Sequence, residues 1–469
     1  MKPILHKDIH FEGDIDFVQI TKLRIEERLN DHATAYITGV LHDQVSISEV
    51  YRLTINSNFR IKVLENGDEV VIFAGVLVGL EIKSLIDVKY LSVKLKSHSF
   101  KLDIQKQSRS FQDINNPYRS IFTQIVQDEH KGIILDTASN MQPQGRFIVQ
   151  YNETDWNFLK RLASQLNAII YAHMEANKPQ VGIGTPLGKS YIENPHQFEI
   201  SRAIGEHMRN ASNFPRWGNL DFISDVFQST DIYSLCDVLI IDGVEYLIAE
   251  KICELLQGIL LNTYRLQPKS SFHQNIMYNE KLTGTSIEGQ VLEAEGDKVK
   301  LHLEIDQHQN SGTAYWFNCD TPYVAEGHTG TYIMPELGTV AHLYFPNRDE
   351  RQAYIRPILR RGGAKNSKTG SPDTKYLETI DGKELMLSPD SLSLTAKHGK
   401  VHMTMSEGGG ITFASQGDVY IKGVEMNLSG ETICMKANDK ISLMTNGGSI
   451  LINEDVDIRG VSGTKLIGD

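Results

Sequence analysis

From Asp381 to Asp469 the chain alternates apolar and polar residues in short runs broken by Gly, Ser, Asn and Asp, as in KELMLSPDSLSLTAKHGKVHMTMS, GGITFASQGDVYIKGVEMNLS and GGSILINEDVDIRG. This is the period-2 signature of consecutive short β-strands. Pro389 is the only proline of the stretch, and Phe413 and Tyr420 are its only aromatics. One copy therefore offers narrow stripes of Leu, Ile, Val and Met, with no helical pattern to cover them. Such stripes hardly offset an ordering entropy of about 1–2 kcal/mol per residue. Several copies wound around a common axis can, and a narrow β-needle with threefold symmetry is the expected solution.

The 469 residues suggest three or four domains, and the 40% hydrophobic content is enough for real cores. A net charge of −12 argues against non-specific binding to nucleic acid or to anionic membranes. The N-terminal MKPILHKDIHFEGD has no apolar stretch of signal-peptide length. The longest apolar run, Val70 to Leu80, is half of the ~20 residues a membrane helix needs. A soluble chain made in the cytoplasm is expected. Cys236, Cys253, Cys319 and Cys434 form no CxxC pair and read as buried free thiols, not as a disulfide framework or a zinc site.

Residues 1–115 are strand-rich and suit a first small β-barrel, with a turn at Asn66, Gly67 and Asp68. Residues 116–200 add helices. PYRSIFTQIVQDEH begins at Pro117, and ETDWNFLKRLASQLNAIIYAH carries an apolar stripe of Trp156, Leu159, Leu162, Ala163 and Leu166, with Thr154 or Asp155 as cap. Residues 201–268 read as a second β-barrel with hairpin turns at Asp242-Gly243 and Gln257-Gly258. A linker at 269–282 precedes about five strands at 283–360, the size of an OB-type barrel. A second linker at 361–378 precedes the needle at 379–469.

GIGTPLGKS at Gly182 to Ser190 misses the phosphate-binding P-loop. Ile183 stands where that motif needs glycine, Pro186 sits inside the loop, and YIENP after it is not helical. His398 and His402 are four apart on an expected strand and would face one side, but they have no carboxylate or Cys at ligand spacing; surface or interface histidines are the reading. No GxSxG, HExxH or Cys-based catalytic signature is present. The aromatics of the OB segment, among them Tyr315, Trp316, Phe317, Tyr332, Tyr344, Phe345 and Tyr354, sit within strand patterns. Core or subunit contact is expected of them more than polymer binding.

The order of these parts resembles the VgrG-like family, the fused hub and spike of contractile injection systems. RSFQDINNPYRSIFTQIVQDEH and FIVQYNETDWNFLKRLASQLNAIIYAH look like its helical segment, and Gly330, Pro335, Gly338, Val340, Phe345 and Pro346 match its OB part. The resemblance implies a mainly β, multidomain fold: two hub β-barrels with an inserted helical segment, an OB-fold barrel and a trimeric β-prism. It also implies a homotrimer that caps the inner tube, contacts baseplate proteins, carries effector cargo and punctures an envelope on firing, with no enzymatic activity, metal or cofactor.

Neither a lysozyme domain in RRGGAKNSKTGSPDTK nor a toxin after IRGVSGTKLIGD is expected, which favours a structural protein over an enzyme. The blunt end is expected to seat a PAAR-type tip protein through Val461, Leu466 and Ile467. The rival readings are an envelope polysaccharide- or peptidoglycan-degrading enzyme on a β scaffold and an OB-type polymer-binding protein.

Overall fold

A computed structural model describes residues 3–65, 67–86, 88–185, 188–193, 198–202, 223–268, 274–322, 324–325, 329–356, 368, 370–452 and 456–460. The chain divides into two compact units, Met1–Leu359 and Arg360–Asp469.

In the first unit, β1 (Ile9–Glu12), β2 (Phe17–Arg28) and β3 (Thr34–Leu41) lead to a one-turn helix, α1 (Ile47–Val50). Ser46 and Glu49 close α1 with a capping box. β4 (Asn58–Glu65), β5 (Asp68–Leu85) and β6 (Val88–Ser97) follow. The run Val70 to Leu80 is thus part of a strand, and among the described residues no helix is long and apolar enough to cross a membrane. Alternation sends Leu23, Ile25, Ile37, Phe59, Ile61, Val63, Val93 and Leu95 into one buried core.

Then come β7 (Lys106–Phe111), α2 (Tyr118–Thr123) continued by a π-helical turn at Gln124–Glu129, β8 (Ile133–Asp136), β9 (Ile148–Thr154), α3 (Asp155–Gln165), β10 (Ile170–Ala172) and β11 (Gln180–Ile183). Thr154 caps α3, its side chain accepting from the Asn157 N–H. Of the expected stripe, Trp156, Leu159, Leu162 and Ala163 are buried and Leu166 is partly buried, but Phe158 and Arg161 are buried as well. This helix is covered on two sides.

β12 (Ser190–Glu193), β13 (Phe198–Arg202), β14 (Ile223–Ser229), β15 (Val238–Ile241), β16 (Val244–Leu256) and β17 (Ile259–Pro268) follow. The two expected strand-rich parts run in one sheet, ordered β1-β4-β5-β6-β3-β2-β16-β17-β14-β13, with β15 beside β16 and β12 beside β15. The seam is β2 against β16, where Glu27 lies opposite Lys251 and Ile25 opposite Cys253. Leu5 bridges back to Ile259, so the first strands curl around their core. Left-handed backbone at Asp242-Gly243 and Gln257-Gly258 makes the two expected hairpin turns.

β18 (Ser286–Glu295), β19 (Lys298–Leu303), β20 (Trp316–Asn318), β21 (Val324–Ala325), β22 (Thr329–Gly330), β23 (Val340–Tyr344) and β24 (Tyr354–Arg356) form the OB segment. Five of them make a sheet ordered β20-β19-β18-β23-β24, and a parallel bridge from Cys319 to Ile355 brings its outer strands together. Phe147 and Val149 from the helical insertion are buried in this core beside Phe317 and Phe345. Leu282, in the expected linker, is buried there too. The insertion and the OB segment therefore share one apolar core.

The second unit is built from antiparallel meanders. β25 (Lys375–Glu378), β26 (Glu384–Leu387), β27 (Ser391–Ala396), β28 (Val401–Ser406) and β29 (Gly410–Ser415) pair in sequence order. After a gap, β30 (Ile441–Thr445), β31 (Gly448–Ile452) and β32 (Val456–Gly460) do the same. His398 does not share a strand with His402. It lies in the β27–β28 turn with φ of 51°, because the chain reverses at Lys397–Gly399. His402 is on β28, opposite Thr395 and Ala414.

Candidate assembly surfaces

The β25–β29 sheet has two chemically distinct faces, set by register. Leu377, Leu385, Leu394, Met403 and Phe413 are successive cross-strand partners and form one apolar row over all five strands. Leu387, Leu392, Met405 and Ile411 form a second row on the same face, two residues along each strand. The other face carries Tyr376, Met386, Ser393, Thr404 and Thr412 in one row, polar over its last three strands. Leu377, Leu394, Met405, Ile411 and Phe413 are exposed, whereas Ser393 on the polar side is buried. An open groove of about 700 Å³ lies over the first of these rows, lined by Leu385, Met403, Val419 and Tyr420 among others.

Residues 418–440 continue the strand pattern without strand pairing. Val419, Ile421, Val424, Met426, Leu428, Ile433 and Met435 are all exposed. Among the described residues, no backbone hydrogen bond joins this segment to another part of the chain. Strand-forming backbone left without partners is normally completed by another strand.

In the first unit, Glu129, His130 and Asp155 place ligand-type atoms within 4.8 Å of one another, a grouping the sequence did not single out. Arg109 already occupies the cationic role there. It pairs with Glu129 and, at 2.7 Å, with Asp155, which also accepts from Gln150 at 2.9 Å and lies 2.8 Å from His130 Nε2. Burial pushes the Asp155 carboxyl up, but the hydrogen bonds of His130 and Gln150 and the charge of Arg109 hold it below the usual carboxylate range. Glu129, His130 and Asp155 are thus joined with Arg109 in one ion and hydrogen-bond network.

The remaining candidates fall apart in space. Gly182 is in β11, and the chain beyond Lys189 enters β12, which pairs with β15, so the helix a P-loop requires is absent at that point. Lys189 N–H donates to Asp237 instead. Burial pushes the Cys236 and Cys253 thiols up to about 12. Cys434, read as buried, is exposed because its segment has no intrachain cover. Phe317 and Phe345 are core residues, Tyr332 is exposed, and Arg356 lies over the Tyr344 ring. Val461, Leu466 and Ile467 lie outside the described residues.

A family model described as the Alg8 N-terminal domain matches residues 3–187, less than half of the chain. No curated protein matches. Among solved structures, the chain is similar to an E. coli component of the type VI secretion system, itself described as structurally similar to bacteriophage tail proteins, at 12% identity and a TM-score of 0.54 over 74% of this chain and 98% of that one. It is also similar to a chain of a half-lidded Francisella PdpA-VgrG complex, at 10% identity and a TM-score of 0.53, covering 86% of this chain and 87% of that one. A lidless PdpA-VgrG complex gives a TM-score of 0.54 at 10% identity over 86% and 97% of the two chains. The fold is therefore of the VgrG-like type.

Proposed function

We propose that the chain is the fused hub and spike of a contractile injection machine, working as a homotrimer whose second unit forms the needle. The apolar face of β25–β29, continued by the unpaired segment 418–440, carries this reading. Three copies brought face to face would bury the rows from Leu377 to Phe413, worth about 1.5–3 kcal/mol for each large side chain fully covered. They would also supply strand partners for residues 418–440. The shared fold supports the same role.

On this reading the first unit caps the inner tube and meets baseplate proteins, and the needle concentrates the force of sheath contraction on an envelope. Effector cargo travels with the particle. A PAAR-type tip seats on the end that carries Val461, Leu466 and Ile467. The chain is made in the cytoplasm and leaves it on firing. The work is mechanical and assigns no catalytic residue.

Co-expression with inner-tube and tip proteins from a neighbouring gene cluster, followed by pull-down, tests this. Recovery of three chains per tip, weakened by Leu466→Asp with Ile467→Asp, is the expected result. An assembled trimer that retains neither protein would overturn the role. Zymograms on peptidoglycan should stay uncleared; a cleared band abolished by replacing a single Asp or Glu would favour the enzymatic reading.

A further inference from the structure

His32, His98 and His173 lie where the helical insertion docks on the first strands, β2 to β6. The Asn30 N–H, in the β2–β3 turn, donates to the Ile170 carbonyl of β10 at 2.7 Å, and Asn30 Oδ1 accepts from the Ile170 N–H at 3.1 Å. The Ala74 N–H of β5 donates to the Met174 carbonyl at 2.6 Å. The helical turn His98–Asp103 links β6 to β7, and it touches β5 and β6 on the one hand and α3 and β11 on the other. His32 belongs to the β2–β3 turn, His98 begins the helical turn, and His173 directly precedes Met174.

Each of these histidines has a buried ring nitrogen without a hydrogen-bond partner: Nε2 of His32, Nδ1 of His98 and Nε2 of His173. His32 and His98 are only 5% and 2% exposed. The other nitrogen of His32 is satisfied by Ser99 Oγ at 2.7 Å, and its ring lies 4.1 Å from that of Trp156 on α3 between centroids. His173 stands edge-on to Tyr171 of β10. Buried polar atoms are normally paired, so several left open along one contact mark groups that are kept neutral there. A neutral imidazole is tolerated in such a place, whereas an imidazolium is not unless a counter-charge meets it.

The neighbouring charges differ among the three. The Asp103 carboxylate lies 3.6 Å from His32 Nε2, and Lys96 of β6 and Asp31 of the same turn also face that ring. Glu175 faces His173. His98 is faced by cations, Lys101 of its own turn and Arg60 of β4. We infer that this contact is a proton-operated joint: as His98 becomes charged, the insertion parts from the first strands, while the core it shares with the OB segment through Phe147 and Val149 stays closed. Charged His32 and His173 have Asp103 and Glu175 to meet them, so His98 is the sensitive member. Burial, and after it the two cations, push the His98 ring from 6.5 down to about 4, and burial lowers His32 and His173 as well. A ring held down in this way stabilises the closed joint fully above pH 6.5, and that contribution is lost as pH falls toward about 4. His98 alone then favours the open form about thirtyfold more at about pH 5 than at about pH 7.5.

Hydrogen exchange of the full-length chain at these two pH values, read by mass spectrometry and corrected for the intrinsic effect of pH on exchange, tests this. Peptides across residues 30–33, 98–103 and 170–174 should lose protection about thirtyfold at the lower pH, and peptides from β18 and β19 should not. His98→Leu keeps the apolar cover and has no ring to charge. It should be as stable as wild type at about pH 7.5 and should lose the acid response. His98→Gln, polar but never charged, should lose the response too. An equal acid response in wild type and both variants would assign it to carboxylates such as Asp103 and would overturn the inference. Protection lost evenly over the whole first unit would mean general acid unfolding and would overturn it as well.

Discussion

The Arg161 guanidinium donates to the Glu350 carboxylate at 2.8 Å with both side chains buried, and so joins α3 to the OB segment across 189 positions of sequence. Arg161 also bonds Glu153 and, at 2.7 Å, the Val149 carbonyl. Burial opposes its charge, but the carboxylates of Glu350 and Glu153 hold it above the ordinary arginine value. Removing Arg161 strands the buried Glu350 carboxylate, whereas removing Glu350 leaves Arg161 its pair with Glu153. Arg161→Leu should therefore lower stability by about 3–5 kcal/mol, while Arg161→Leu with Glu350→Leu should lose less than that single change. Denaturant melts of wild type and the two variants check this.

Phe147 precedes β9 yet packs in the OB core, edge-on to Phe317 at 4.9 Å between ring centroids. Phe147→Ala should cost about 3–5 kcal/mol. Amide exchange should accelerate at Val299 and Leu301 on β19 more than in the β2–β6 sheet.

Glu27 on the β2–β16 seam is buried, and its Oε2 atom has no hydrogen-bond partner. Burial, and after it the Glu175 carboxylate, push its carboxyl from 4.5 up to about 8, against the pull of Lys251. A carboxyl raised on folding stabilises the protein while protonated. Its contribution is complete below pH 4.5 and is lost as pH rises through about 8. Melting temperatures of wild type should fall from pH 6 to about 9 more steeply than those of Glu27→Gln. Parallel curves for the two proteins would contradict this assignment.

Local patterns carried much of this fold. The alternation in β2 to β6, the Thr154 cap, the stripe from Trp156 to Ala163 and the Asp242-Gly243 turn each depend on neighbours within a few residues, and the structure has them all. The pairing of β2 with β16 spans more than two hundred positions and leaves no periodic trace. Arg161 and Phe147 were hidden for a related reason. A charged residue on a helix and an aromatic at the edge of a strand look the same in sequence whether they face solvent or another domain's core. The apolar rows of the second unit were legible as alternation, and their exposure shows that one chain leaves them uncovered.

The central claim is that the apolar face of β25–β29 and the segment 418–440 are completed by two further copies of the chain. Multi-angle light scattering of the purified full-length protein tests it most directly. The account predicts three times the 52.8 kDa chain mass, and a shift toward the single-chain value in Leu394→Asp with Phe413→Asp while the first unit stays folded. A well-folded wild-type monomer at micromolar concentration would contradict it.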